Sequence, residues 1–306
     1  MKKTPIYLML LFMLITACSQ FGNQAINKDI TTIKMTVDIA NPRSPLLLKT
    51  EKIWNAAHSP TNLWDKILTQ YDTCPEPETL YIDWGDGTQD STTNKHNYKQ
   101  QGTYAVTVTA KNLYRLKLDW PQGHYSAMNW IKTFTIESPT LMSLDFALAS
   151  TRGNLELKNC NNLRYLSCSG IGTDSLDLSN CTNMEWLDCR ANKMKYLNIG
   201  KCTNLKAIEC GVNYIDTLDI SSATQLIYLE CENTLIKSLN ITNAKNLETL
   251  HCRNMYLKEL DITNNPKLSD LYYGIDGTYN LYVKKGSTYE KGGYGVHYNV
   301  KIHVKE

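Results

Sequence analysis

Three carboxylates, Asp188, Glu209 and Glu230, stand 21 residues apart in this 306-residue chain, and His251 follows at the same interval. Side chains that recur at such a fixed interval belong to successive coils of a stacked repeat, where equivalent positions lie about 5 Å apart. At that distance unit charges in water repel by ~0.8 kcal/mol, and by more where solvent is partly excluded. Trp186 and Tyr228 precede Asp188 and Glu230 by two residues, Tyr165 shares their register, and Arg190, Glu232 and Arg253 fall two residues beyond the column. Stacked carboxylates beside exposed aromatics suit a surface that recognises a cationic or amphipathic partner. The plainer reading is that Arg190 and Arg253 neutralise the acids diagonally while solvent screens the remainder.

Cysteine offers a second chemistry, and spacing decides what kind. Besides Cys18 the chain has nine cysteines: Cys168, Cys189, Cys210, Cys231 and Cys252 form one column of interval 21, Cys160, Cys181 and Cys202 a second, and Cys74 stands apart. Equivalent Cβ atoms of stacked coils point the same way at about 5 Å, whereas a disulfide needs converging vectors at ~3.8 Å. The absence of a Cys-x-x-Cys pair argues against zinc as well. The columns are expected to be free thiols acting as small buried hydrophobes, with Cys74 a lone thiol. The six histidines and many acids form no metal-ligand or nucleophile constellation, and no phosphate loop is present, so neither enzyme activity nor a cofactor is expected.

The element that must position these columns is a coil of 21 residues. Leu163, Met184, Leu205, Leu226, Leu247 and Leu268 keep the interval without a slip, and Leu166, Leu187, Ile208, Leu229, Leu250 and Leu271 follow three residues later. Each coil carries two stretches of period-two alternation, predicting two parallel ladders around one core. Outward residues of the second ladder alternate between carboxylate and amide, Asp177, Asn198, Asp219, Asn240 and Asp261, so no two charges are neighbours there. Like charges in adjacent strands destabilise a sheet. The chain avoids that repulsion on one face and accepts it on the other. Asn162, Asn183, Asn204, Gln225 and Asn246 form an amide column in the linking turn, and Asn192 and Asn213 another after the first ladder, both suited to satisfying turn backbone. The consensus Leu-x-x-Leu-x-Cys-x-x-Asn-x-Leu-x-x-Leu-Asp-Ile-Ser resembles the internalin-like leucine-rich repeats of bacterial surface proteins, over about residues 141–275. A weaker first coil carries Phe146 in place of cysteine.

Ahead of the repeats, Ile33, Met35, Val37 and Ile39 alternate with polar residues as a strand does. Trp84-Gly85-Asp86-Gly87-Thr88, then His96-Asn97-Tyr98, then Gly102 with the alternating run Tyr104 to Ala110, resemble the PKD family of immunoglobulin-like β-sandwiches. That resemblance implies a spacer or adhesion module. Stretches at 51–78, with Trp54, Trp64 and Tyr71, and at 114–130, with Trp120, Tyr125 and Trp130, depart from the pattern. Asp83, Asp86 and Asp90 lack the alternate spacing of a calcium loop, and Asp86 reads as a turn residue.

At the start, Lys2 and Lys3 precede an apolar run, Ile6 to Ile15, too short to cross a bilayer as a helix. With Ala17-Cys18 it resembles a bacterial lipoprotein signal, implying lipidation of Cys18; an ordinary secretory signal cleaved nearby is the alternative. Removing residues 1–17 takes away two lysines and no acid, leaving 30 basic and 30 acidic residues. That balance argues against a nucleic-acid partner.

The expected architecture is therefore mainly β: a signal at 1–17, a tether at 18–30, a PKD-like β-sandwich at 31–138, a leucine-rich-repeat solenoid with parallel ladders at 139–277, and a C-terminal β-cap at 278–306. The expected role is non-catalytic recognition of a protein or peptide by an outer-membrane lipid-anchored protein. Its face would be Trp186, Asp188, Arg190, Glu209, Tyr228, Glu230, Glu232, His251 and Arg253. The rival is glycan capture by Trp54, Trp64, Trp120 and Trp130.

Overall fold

The structure, a computed structural model, describes residues 29–40, 46–49, 76–91, 95–119, 130–145, 153–253, 255–274 and 279–306. Among them are strands and turns and no helix. The front region comprises β1 (Ile30–Ile39), β2 (Leu46–Lys49), β3 (Thr79–Asp83), β4 (Gln89–Asp90), β5 (Lys95–His96), β6 (Gly102–Lys111), β7 (Arg115–Asp119) and β8 (Trp130–Glu137). Alternation places Ile33, Met35, Val37 and Ile39 of β1 on the buried side, opposite residues of β6 such as Val106 and Val108. The PKD-like motif is structural. Tyr98 Oη donates to Trp84 O at 3.0 Å, His96 stacks on Trp84 at 4.8 Å, and His96 Nε2 lies 2.9 Å from Asp86 Oδ2. Asp86 Oδ1 accepts from Thr88 N at 3.0 Å, the turn role expected of it. Gly85 has φ 78°, and a Cβ there would lie 2.5 Å from Ala105 O, so both conformation and space demand glycine.

The first ladder contains β9 (Ser143–Asp145), β11 (Tyr165–Ser167), β13 (Trp186–Asp188), β15 (Ala207–Glu209), β16 (Tyr228–Glu230), β17 (Thr249–Cys252) and β19 (Asp270–Tyr273). On the other side lie β10 (Leu155–Lys158), β12 (Ser175–Asp177), β14 (Tyr196–Asn198), β18 (Glu259–Asp261), β20 (Tyr279–Lys284) and β21 (Val300–Lys305). Between the ladders run fully buried Cys168, Cys189, Cys210 and Cys231 with the leucine columns. The eight cysteines of the two columns are free, and burial pushes the Cys168, Cys189, Cys210 and Cys231 thiols well above their ordinary range. Cys18, Cys74, Phe146, Trp54, Trp64, Tyr71, Trp120 and Tyr125 lie outside the described residues, as does the Trp130 side chain.

Both sheets of the sandwich continue into the solenoid, while the rest of the second ladder, expected in every coil, forms two separate sheets, β12-β14 and β18-β20-β21, with no strand at 217–219 or 238–240. One sheet runs β10-β8-β1-β6-β3-β4 and the other runs β19-β17-β16-β15-β13-β11-β9-β7-β2-β5. β9 pairs in parallel with β7 (Leu116↔Leu144), and β10 with β8 (Leu155↔Phe134). The boundary expected at 138/139 is bridged further by Thr31 Oγ1 to Thr140 Oγ1 at 3.3 Å and by Ser138 Oγ accepting from Leu141 N at 2.9 Å. The cap likewise grows out of the coil. The sequence period fades after Gly277, yet β18, β20 and β21 pair in parallel at the same interval (Glu259↔Asn280, Tyr279↔Val300). Backbone hydrogen bonding thus carries the period beyond the last leucine column, so the 277/278 boundary does not end the ladder.

The turn columns behave as their residue types predict. Asn213 Nδ2 donates to Cys189 O, Cys210 O and Gly211 O at 2.9–3.2 Å, while its Oδ1 accepts from Met194 N at 3.1 Å. Asn192 repeats this one coil earlier, and Thr234 one coil later keeps a single bond, Oγ1 to Cys231 O at 2.9 Å. On the second ladder Asn198 Nδ2 donates to Asp177 Oδ1 at 2.9 Å, which is what the acid–amide alternation permits.

Candidate functional site

Parallel register builds two outward columns on the first ladder. One runs Arg115, Ser143, Tyr165, Trp186, Ala207, Tyr228, Thr249 and Asp270; the other runs Lys117, Asp145, Ser167, Asp188, Glu209, Glu230, His251 and Tyr272. The three acids and the histidine are adjacent, as their spacing requires. Their exposure is not what the sequence suggests. Trp186, Asp188, Glu209 and Tyr228 keep only 7, 6, 4 and 6% of their surface, so these four expected contact residues are corrected to buried ones. Arg190, Glu230, Glu232, His251 and Arg253 are half-buried.

The cause is close stacking. Tyr165 lies face to face on Trp186 at 4.0 Å, and these two with Ala207 and Tyr228 form a buried apolar cluster separate from the main core. Arg190 folds over the acids: Nε and Nη2 donate to Asp188 Oδ1 and Oδ2 at 2.9 Å, and Nη1 reaches Glu209 Oε2 at 2.6 Å. One guanidinium thus serves two carboxylates with bidentate geometry on the first. Burial raises the Glu209 carboxyl to about 8, with Arg190 opposing and Asp188 and Glu230 adding to the rise. Burial likewise raises Glu230 to about 7 against Arg190.

Glu230 has its own cradle. Gly211 interrupts the column of Arg190, Glu232 and Arg253, and a Cβ at Gly211 would fall 2.1 Å from Glu230 Oε1. The carboxylate occupies that space and accepts from Gly211 N at 3.3 Å and Glu232 N at 3.2 Å. Gly211 is a determinant that reading the acid column alone overlooks; its signal is the missing side chain in an otherwise charged column.

Beyond Glu230 the face opens and becomes aromatic. His251 Nε2 lies 3.2 Å from Asp270 Oδ2, between Tyr228 (5.8 Å) and Tyr272 (4.5 Å), each edge-on. Tyr272 in turn meets Tyr294, itself 87% exposed, at 5.8 Å. Arg253 lies 4.3 Å over the Tyr272 ring and donates to Gly295 O at 3.1 Å. Tyr272 follows His251, and Asp270 follows Thr249, at the 21-residue interval, whereas Tyr294 joins the site through tertiary packing, outside the leucine-rich period. Among the described residues no group of three His, Cys, Asp or Glu is placed to hold a metal ion. Of the tryptophans of the glycan reading, Trp54, Trp64 and Trp120 lie outside the described residues, as does the side chain of Trp130.

Comparison with known proteins assigns part of the chain. The PKD domain family matches residues 57–118, which include β3 to β6 and most of β7. No curated protein matches. Among solved structures the chain is similar to the functional domain of InlJ from Listeria monocytogenes, described as including a cysteine ladder. Identity is 22% and the TM-score 0.36, over 48% of this chain and 35% of that one, so about a third of the InlJ chain is spanned.

Proposed function

We propose that this protein is a non-catalytic cell-envelope recognition protein, anchored in the outer membrane by lipid on Cys18, that binds a protein or peptide partner. The binding face is the C-terminal half of the first ladder: Glu230, Glu232, His251, Arg253, Asp270, Tyr272 and Tyr294. The observation that carries this reading is the change along a single column, from Asp188 and Glu209, buried under Arg190, to half-buried Glu230, His251 and Tyr272, with the exposed Tyr294 beside Tyr272. Amphipathic aromatics edged by both signs of charge supply large contact area with directional polar groups, the composition of protein recognition surfaces. Trp186, Asp188, Glu209 and Tyr228 form the floor that holds the open half in shape. The PKD-like sandwich, both of whose sheets continue into the solenoid, presents this face.

A photo-crosslinking residue placed at His251 or Tyr272 on intact cells tests the reading. Discrete adducts should form there and not from Asn198 of β14 on the opposite side, and equal labelling of both faces would remove the assignment. Palmitate incorporation that survives Cys18→Ser would overturn the anchor.

A further inference from the structure

Four of the eight most exposed large apolar side chains among the described residues stand together on the turn between the two ladders: Val212, Tyr214, Leu235 and Tyr256. Tyr214, Leu235 and Tyr256 occupy one column, headed by Lys193, at the 21-residue interval. Hydrogen bonds between coils hold it in register, Val212 N to Glu232 O and Leu235 N to Ile215 O, both at 2.8 Å. The two tyrosines therefore stand about 10 Å apart, two steps of the strand spacing, with Leu235 filling the step between. The next column outward is Lys195, Asp216, Lys237 and Lys258, all exposed. Lys193, Lys195 and Lys237 take part in no ion pair within the described structure.

Val212 marks the ridge as more than a turn. Its φ is 55°, in a column with Gly170, Ala191 and Asn233, all of positive φ. A β-branched residue is less favourable there than glycine, and at 53% exposure burial does not offset it. The surface thus keeps an apolar side chain at a position where glycine or asparagine folds more easily.

We propose that this ridge binds a linear anionic polysaccharide bearing uronate carboxylates. Sugar rings present apolar C–H faces that lie flat on tyrosine rings and on an aliphatic side chain between them. Lys193 heads that floor, and Lys195, Lys237 and Lys258 stand in the column beside it to meet carboxylates repeated along the polymer, while Asp216, between Lys195 and Lys237, and Glu259 accept from hydroxyls. A straight column of equivalent residues matches a ligand that is itself a linear repeat.

Native electrophoresis of the full chain through gels containing polygalacturonate tests the proposal. Retardation is expected, weakening as salt is added. Tyr214→Ala with Tyr256→Ala, or Lys193→Glu with Lys237→Glu, should each lower affinity by about tenfold or more. Tyr214→Phe with Tyr256→Phe should keep it, and His251 and Arg253 variants should leave it unchanged, which separates this ridge from the first-ladder face. Unfolding midpoints equal to the parent's establish that the variants fold. No retardation of the parent, or full retardation of the folded lysine variant, overturns the site. Equal retardation by dextran or by oligothymidylate overturns the anionic-glycan assignment.

Discussion

Replacing Glu209 by glutamine should flatten the pH dependence of stability. In the folded protein the Glu209 carboxyl is raised from 4.5 to about 8, first by burial and then by Asp188 and Glu230, against the pull of Arg190. Between those limits the native state holds a proton that the unfolded chain has released, so stability falls as pH rises. The favourable contribution is fully present below about pH 4.5 and is gone above about pH 8. At ~1.36 kcal/mol per unit, the loss across the window is on the order of 5 kcal/mol. Glutamine cannot ionise, so the variant should lose most of that slope and keep the smaller one due to Glu230, raised to about 7. The amide gives up the 2.6 Å ion pair with Arg190, yet Arg190 keeps its bidentate contact with Asp188. At pH 8 the variant should therefore match or exceed the parent. Urea unfolding followed by tryptophan fluorescence at pH 5, 6, 7 and 8 measures both profiles. A variant as steep as the parent, or one about 2 kcal/mol weaker at pH 8, would refute the picture of a buried, desolvated acid.

Three further outcomes follow from the coil architecture. Asn213→Ala strands three carbonyls and one amide and should cost about 3 kcal/mol in urea unfolding, whereas Asn213→Thr, copying Thr234, should cost clearly less. Val212→Gly should stabilise by ~1 kcal/mol by relieving positive-φ strain, and a loss of stability would show that the backbone there is unstrained. The eight ladder thiols, from Cys160 to Cys252, should resist a thiol reagent in native protein and react at the rate of unfolding; fast labelling of Cys210 without denaturant would place that column at the surface.

How much was legible follows from what a repeat encodes. The 21-residue interval by itself fixed which residues are neighbours, because equivalent positions of stacked coils must be adjacent. The thiol columns, the amide turns, the acid–amide alternation and the run of Asp188, Glu209, Glu230 and His251 all appear where spacing places them. The motif around Trp84, His96 and Tyr98 was equally readable, since a turn and two alternating strands are local features. Exposure was not readable. An outward position in a strand pattern says only that a side chain leaves the core, and the folded chain buries Trp186 under Tyr165 and ties Asp188 and Glu209 beneath one arginine. Nor could spacing reveal that β8 pairs with β10, or that Tyr294 returns to extend the aromatic face. Those contacts join segments with no common period, and they form because an open sheet edge and an uncovered ring each gain by meeting a surface that only the assembled fold brings near.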